Sequence, residues 1–147
     1  MALQFSTTYR NYMLNNSSSG ANIVNALLGS GSNLLVYDNS AGVPATCAAS
    51  ATGNLLATIA LGTPESSTEP FAQATAETMT LSGLTIAGTA SGGSAATPGY
   101  FRLETSGGTT HIQGTAGISS GDLSFNGTIT NGQTIDITGF TITAPGA

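Results

Sequence analysis

The sequence predicts a mainly β protein, an antiparallel β-sandwich of jelly-roll-like type preceded by one or two short N-terminal helices. Three observations carry that expectation. Short stretches of the chain alternate apolar and polar residues with a period of two, the mark of a strand with one buried face. Turns containing glycine separate them. No parallel βαβ alternation appears, and a count of seven or eight such strands suits a sandwich.

The first 30 residues read differently from the rest. In "FSTTYRNYMLNN", Ser6 is placed to cap a helix whose Tyr9, Tyr12 and Met13 fall at helical spacing. "SSSG" interrupts it. "ANIVNALLGSG" follows, with Ile23, Val24, Leu27 and Leu28 on one helical stripe and Gly29 at the position that ends a helix. That stripe is expected to pack against the sandwich or a neighbouring subunit. The chain of 147 residues is expected to form a single domain, 1–147, with residues 1–30 helical and 31–147 in the sandwich.

From Asn33 the pattern is β. "NLLVYDNS" is a short apolar strand entering a turn, and "GVPATCAASATG" is a loop. "NLLATIAL" is the next strand, stopped by Gly62 and Pro64. The segment containing Glu65, Glu69 and Glu77 reads as an exposed connection. "YFRLETSGGTTHIQGT" carries a hairpin signature. In it Phe101 and Leu103 alternate with Tyr100, Arg102 and Glu104, and after the Ser106-Gly107-Gly108 turn Thr110 and Ile112 alternate with His111 and Gln113. "GDLSFNG" turns Leu123 and Phe125 one way, and an Asn131-Gly132 turn precedes the last strand.

Two decapeptides are near-copies of each other, "TMTLSGLTIA" from Thr78 and "TIDITGFTIT" from Thr134. In each, the apolar alternation slips by one residue at the glycine, Gly83 or Gly139. A slip of one residue throws the following side chains to the opposite face. Either a β-bulge at the glycine restores the facing, or the strand bends there and its second half serves another sheet.

Composition narrows function. There are two Lys+Arg, both arginine, and seven Asp+Glu, giving 6% charged residues and a net charge of −5. Ordinary soluble domains carry about 25%. Nucleic-acid binding needs clustered cations to neutralise phosphates, and a polybasic membrane anchor needs them too, so both are excluded as expectations. No run approaches the ~20 apolar residues of a membrane helix. The N-terminus lacks a basic start followed by an apolar stretch, so synthesis in the cytoplasm without a secretory signal is expected. A neutral, hydroxyl-rich surface suits a subunit that lives within an assembly.

No catalytic, cofactor-binding or metal site is expected. Cys47, alone among small residues, reads as a small buried hydrophobe, and a reactive thiolate would need a basic neighbour where His111 is the only histidine. His111 with Asp122 or Asp136 and a serine could be named a triad, but serine is so abundant that some serine must lie near any histidine. A hairpin histidine facing water or a subunit contact is the better reading. Arg102 and Glu104, two apart on one strand, read as ordinary surface pairing. Glu65, Glu69 and Glu77 are too dispersed for a calcium loop. Sequons at Asn15, Asn16 and Asn126 are expected by chance in so Ser/Thr-rich a chain.

Five segments in order, "LQFSTTYRNYML", "LLVYDNSA", "TGNLLATIAL", "GYFRLETSGGTTHIQGT" and "GQTIDITGFTITAPG", resemble a group of small virion proteins of tailed bacteriophages and prophages. Gly31-Ser32-Asn33 precedes Leu34 where that group often has a basic residue, and the Glu65–Glu77 segment is particular to this sequence. The resemblance implies a structural part of a phage particle, with no catalytic residues, made in the host cytoplasm and localised to the virion. A capsid decoration (cement) protein on the head exterior is the expectation, bound to the major capsid protein and to neighbouring copies of itself as a homo-oligomer. The alternative is a tail or head-fibre component that binds a host surface glycan.

Overall fold

Alternation of side chains gives the central strands one apolar and one polar face, and the fold follows from covering both. The computed structural model describes residues 3–15, 31–61, 78–80, 86–90, 92, 95–137 and 140–143. Its elements are β1 (Gln4–Phe5), α1 (Thr7–Asn15), β2 (Asn33–Tyr37), β3 (Leu55–Ala60), β4 (Thr78–Thr80), β5 (Ile86–Ala90), β6 (Tyr100–Glu104), β7 (Thr110–Ile118), β8 (Ser120–Gly121), β9 (Leu123–Phe125), β10 (Thr134–Ile137) and β11 (Thr141–Thr143). The protein is mainly β with very little helix. Seven strands form an antiparallel sheet in the order β1-β7-β6-β2-β3-β5-β10. β8 pairs antiparallel and β9 parallel to the far end of β7, while β4 and β11 make a separate two-stranded sheet.

Register places Leu103 beside Leu34 and Ile112, and Leu34 beside Ile59. These side chains join Val36, Phe101, Ile135, Ile137 and Phe140 in one apolar cluster among the described residues. Ser6 caps α1 as the sequence predicts, its Oγ accepting the Tyr9 N–H at 3.1 Å. Tyr9 is buried and stacks on Phe5 with ring centroids 4.8 Å apart, so α1 is fastened to the apolar side of the sheet at β1. The second expected helix, with Ile23, Val24, Leu27 and Leu28, lies outside the described residues, as does the Glu65–Glu77 segment.

The twin decapeptides pair with each other. Residues 134–137 of the second copy run antiparallel to 86–89 of the first, and 141–143 run antiparallel to 78–80. The front of each copy therefore faces the back of the other. Five residues separate β4 from β5 but only three separate β10 from β11. The two pairings belong to different sheets, as the second half of each copy serving another sheet would require. Ile135, Ile137 and Phe140 all reach the same core, so facing is kept across the slip. Gly83 and Gly139 themselves lie outside the described residues.

The sheet does not stay flat. Strands lie ~4.8 Å apart, so β6 and β10, four steps apart in the order, would be about 19 Å apart in a flat sheet. Yet Phe140, just beyond β10, meets Phe101 of β6 edge to face with ring centroids 5.2 Å apart. The polypeptide past β10 thus swings over the apolar face. Two bulges add local twist. Between Val36 and Tyr37 the register with β3 shifts by one, which buries Leu56 beside Ala57 and leaves Leu55 37% exposed. Between Leu103 and Glu104 the register with β7 shifts likewise, and His111 is the extra residue.

Gly114 sits opposite Phe101 in the β6–β7 ladder. A Cβ there would come within 2.6 Å of Phe101 Cε1 and 2.8 Å of Leu3 Cδ1, so the ring occupies the space that any other residue would need. Gly114→Val is expected to destabilise the protein by ~1–3 kcal/mol through overpacking. Adding Phe101→Leu should recover part of that loss, because the two changes share one volume. Urea midpoints of the two variants check this, and strictly additive losses would refute it.

Candidate functional site

The polar face of the central sheet is covered by the segment between β2 and β3, residues 38–54. That cover has no strand partner, so its backbone carbonyls must find donors elsewhere. Side chains of β1, β6 and β7 supply them. Arg102, only 3% exposed, directs Nη2 at the carbonyls of Ala49 (2.5 Å), Cys47 (3.3 Å) and Thr46 (3.4 Å), and its Nε donates to Gln113 Oε1 at 2.9 Å. Gln113 Nε2 donates to the Pro44 carbonyl (2.8 Å) and to Gln4 Oε1 (3.0 Å), and Gln4 Nε2 donates to the Ala45 carbonyl (3.1 Å). Five consecutive or near-consecutive carbonyls are bound by three side chains from three neighbouring strands.

Arg102 Nη1 stands 3.6 Å from Glu104 Oε1. The two share a face, as their spacing predicts, but the expectation of surface pairing is corrected, since both side chains are largely buried. The cover shields them from water. Glu104 also accepts the Thr110 hydroxyl at 2.6 Å. Further out, the Tyr100 hydroxyl accepts the Thr52 N–H at 2.9 Å and donates to the Thr52 carbonyl, while its ring stacks on Tyr37 at 4.9 Å. Asp38 closes the base of the excursion: Oδ1 accepts N–H groups of Asn54 (2.8 Å) and Ser40 (3.2 Å), and Oδ2 accepts Asn54 Nδ2–H (2.8 Å). These bonds hold the Asp38 carboxyl down at about 2.

His111 does not face water; it is 6% exposed. The bulge that makes it the extra residue breaks the expected alternation, sending Thr110 to Glu104 and turning His111 toward the N-terminal segment. Its Nδ1 lies 3.0 Å from Ser6 Oγ, and its carbonyl accepts the Ser6 N–H at 2.8 Å. Because Ser6 Oγ already accepts from Tyr9, its own proton is free to point at Nδ1, which suits a neutral ring protonated at Nε2. Burial pushes the His111 pKa down.

The other candidate residues do not converge. Asp122 binds the Thr115 N–H (2.9 Å) and hydroxyl (2.8 Å), four residues along β7 from His111, about 13 Å away. Asp136 is placed on β10 opposite Ala87. Cys47 is buried as expected; its thiol points at the carbonyls of Gln4 and His111, and burial pushes its pKa up, away from thiolate. Among the described residues no group of His, Cys, Asp and Glu could hold a metal ion, and no helix is long and apolar enough to cross a membrane. A cleft of about 1070 Å³ runs beside the cover between Ser6, Arg10, Thr46, Glu104 and Thr109. Its walls mix hydroxyls such as Ser6, Thr46 and Thr109 with apolar groups such as Leu3 and Phe5, and Nε and Nη2 of Arg102 at its base are already bonded to Gln113 and the cover. What the arrangement does chemically is fasten a loop. The sequence signal for it is a lone arginine two residues before a glutamate, which also fits a surface pair.

Arg102→Met is expected to lower stability by ~3–5 kcal/mol, because the carbonyls of Thr46, Cys47 and Ala49 lose their donor and Glu104 loses its ion-pair partner. Pairing it with Glu104→Gln should restore part of the loss. Denaturant midpoints decide the matter, and an unchanged midpoint for the single variant would mean the cover does not depend on the guanidinium.

Stability should also fall on acidification, in two steps. His111 has a folded pKa below its ordinary 6.5, so the unfolded protein takes up the proton first and stability drops as pH falls below about 6.5. Asp38 contributes stability above its ordinary 3.8 that is lost as pH falls toward about 2. Melting temperatures across pH should therefore decline below neutrality, and His111→Gln should flatten the upper step while leaving the lower one. On the alkaline side Tyr9, pushed up to about 12 by burial, acts in the opposite sense and costs stability above its ordinary 10.

No family model matches the chain, and no significant match is found among curated proteins or solved structures.

Proposed function

We propose that this protein is a structural component of a bacteriophage virion, a capsid decoration or cement protein seated on the head exterior, and not an enzyme. The observation that carries the reading is the ordered set of segments resembling small phage virion proteins. Two of them, "LQFSTTYRNYML" and "GYFRLETSGGTTHIQGT", form β1, α1 and the β6–β7 hairpin. They are joined by the Gln4–Gln113 and Ser6–His111 bonds. The resemblance thus coincides with residues that hold the scaffold together, as expected of a shared structural role.

The same reading extends to the architecture. A jelly-roll-like sandwich is supported by the swing of Phe140 onto Phe101. It is supported again by a cavity of about 300 Å³ that β9 and β10, from opposite ends of the strand order, line together. Partners would be the major capsid protein and neighbouring copies of this protein, with no nucleic acid and no membrane. A tail or head-fibre component binding a host glycan is the second reading. Against it, Tyr9, Tyr37 and Tyr100, three of the four tyrosines, are turned inward, so these rings do not serve as the exposed platforms that sugars favour.

With so few charged residues, grip on a capsid would rest on apolar burial and hydrogen bonds summed over several contacts. Such binding depends weakly on salt, since screening acts on exposed charges. The protein is expected to stay on purified heads from low to high ionic strength, and heads lacking it should rupture more readily on heating. Quantitative mass spectrometry of particles should find it in high copy number. A few copies per particle would end the cement reading in favour of the tail, and release at moderate salt would contradict the contact argument.

A further inference from the structure

Two Asn-Gly pairs stand five residues apart, Asn126-Gly127 and Asn131-Gly132. The backbone nitrogen after an asparagine can attack the amide carbon, Cγ, of that asparagine. A following glycine leaves the nitrogen sterically open and the backbone free to rotate. Both pairs carry this chemistry, but the fold treats their nitrogens differently.

Gly132 N–H donates to the Ala90 carbonyl at 2.9 Å. The turn around it is closed further by Gln133 N–H to the Thr130 carbonyl (3.0 Å), Ala90 N–H to the Gln133 carbonyl (2.9 Å) and Thr130 N–H to Gln133 Oε1 (3.0 Å). Gly132 is also fixed at φ +80°. Between Phe125, whose carbonyl accepts from Ser119, and Ile129, which is bonded to Ala96, the backbone is untied: Asn126, Gly127 and Thr128 make no hydrogen bond with any described residue. Asn126 is exposed, and a Cβ built on Gly127 would meet nothing within 4 Å, so there is room for a ring to form. The comparable Asn39-Ser40 pair is held too, since Ser40 N–H donates to Asp38 Oδ1.

We infer that Asn126 is a site of spontaneous deamidation in the folded protein, and that the fold protects Asn131. The Gly127 nitrogen loses its proton to solvent and bonds to Cγ of Asn126. The bond from Cγ to Nδ2 breaks and ammonia departs, leaving a five-membered succinimide. Water then adds to one or other imide carbonyl and opens the ring to an aspartyl or isoaspartyl residue. No electrons change hands, and water is the only co-reactant. The product carries one more negative charge than the starting net of −5. It stands on the rim of the 300 Å³ cavity that Asn126 and Gly127 line with Leu123, Phe125, Ile129 and Ile137.

Incubating the purified full-length protein at mildly alkaline pH and mapping its peptides by mass spectrometry tests this. Asn126 should convert about tenfold or more faster than Asn131, because Asn131 must first open a bonded turn, and about 1.4 kcal/mol of opening cost gives that factor. In denaturant the two sites should convert at similar rates. Asn126→Gln should abolish the modification at that site with Asn131 still slow. Equal rates in the folded protein, a faster Asn131, or no conversion at Asn126 would each overturn the inference.

Discussion

A buried guanidinium organises this protein. Arg102 sits where the polar face of a β-sheet meets a long loop that has no strand to pair with, and it gives that loop its hydrogen bonds. Lysine would not serve equally, since a point charge lacks the planar fork that reaches Gln113 on one side and the loop carbonyls on the other. Glu104 is required by the same logic, because an unpaired cation so deeply enclosed would be costly. Once this pair is in place, Gln113 and Gln4 extend the layer to the sheet edge, and β1 is fixed there. That in turn positions Ser6 as the cap of α1 and the partner of His111.

The other face depends on the twin decapeptides. Their likeness has a structural reason: they are partners in one ribbon, and antiparallel pairing asks similar things of both strands. The two pairings fall in different sheets, and between β10 and β11 Phe140 meets Phe101. Gly114 completes the fit by leaving room for the Phe101 ring on the neighbouring strand. The central strands thus meet Phe140 on one face and a loop on the other. That is why β6 is buried along almost its whole length.

Much of this is legible in the residues. The strands at 33–37 and 55–60, the hairpin turn at 106–108 and the Ser6 cap all follow from local chemistry, which acts over a few positions. What the residues do not show depends on distant partners. A bulge opposite Leu103 and Glu104 is invisible in "TTHIQ", so simple alternation gives His111 and Thr110 faces that the bulge exchanges. The burial of Arg102 and Glu104 depends on a loop some 55 residues earlier in the sequence, and "GVPATCAASATG" gives no sign that it covers a sheet. β1 is only two residues long, too short for any period to show. Of the candidate chemistry, His111 and Asp122 are kept apart by the length of β7, which runs straight on from one toward the partner of the other.

The placement of the charges sharpens what composition says about partners. Of the nine charged residues, Arg102 and Glu104 are enclosed, while Asp38 and Asp122 are tied to backbone N–H groups beside them. Arg10 stands exposed on α1 with its Nη2 against Thr7. Among the described residues the Arg102–Glu104 pair is thus withdrawn from the surface, while Asp38, Asp122 and Arg10 stay on it. On the proposed reading, a partner would meet little long-range steering from so few charges, the regime in which association runs at about 10⁵–10⁶ M⁻¹s⁻¹. Selectivity must then come from shape and short-range hydrogen bonds, which form only after contact. In the proposed cement role, the protein would meet many equivalent sites at high local concentration, where slow release matters more than fast capture.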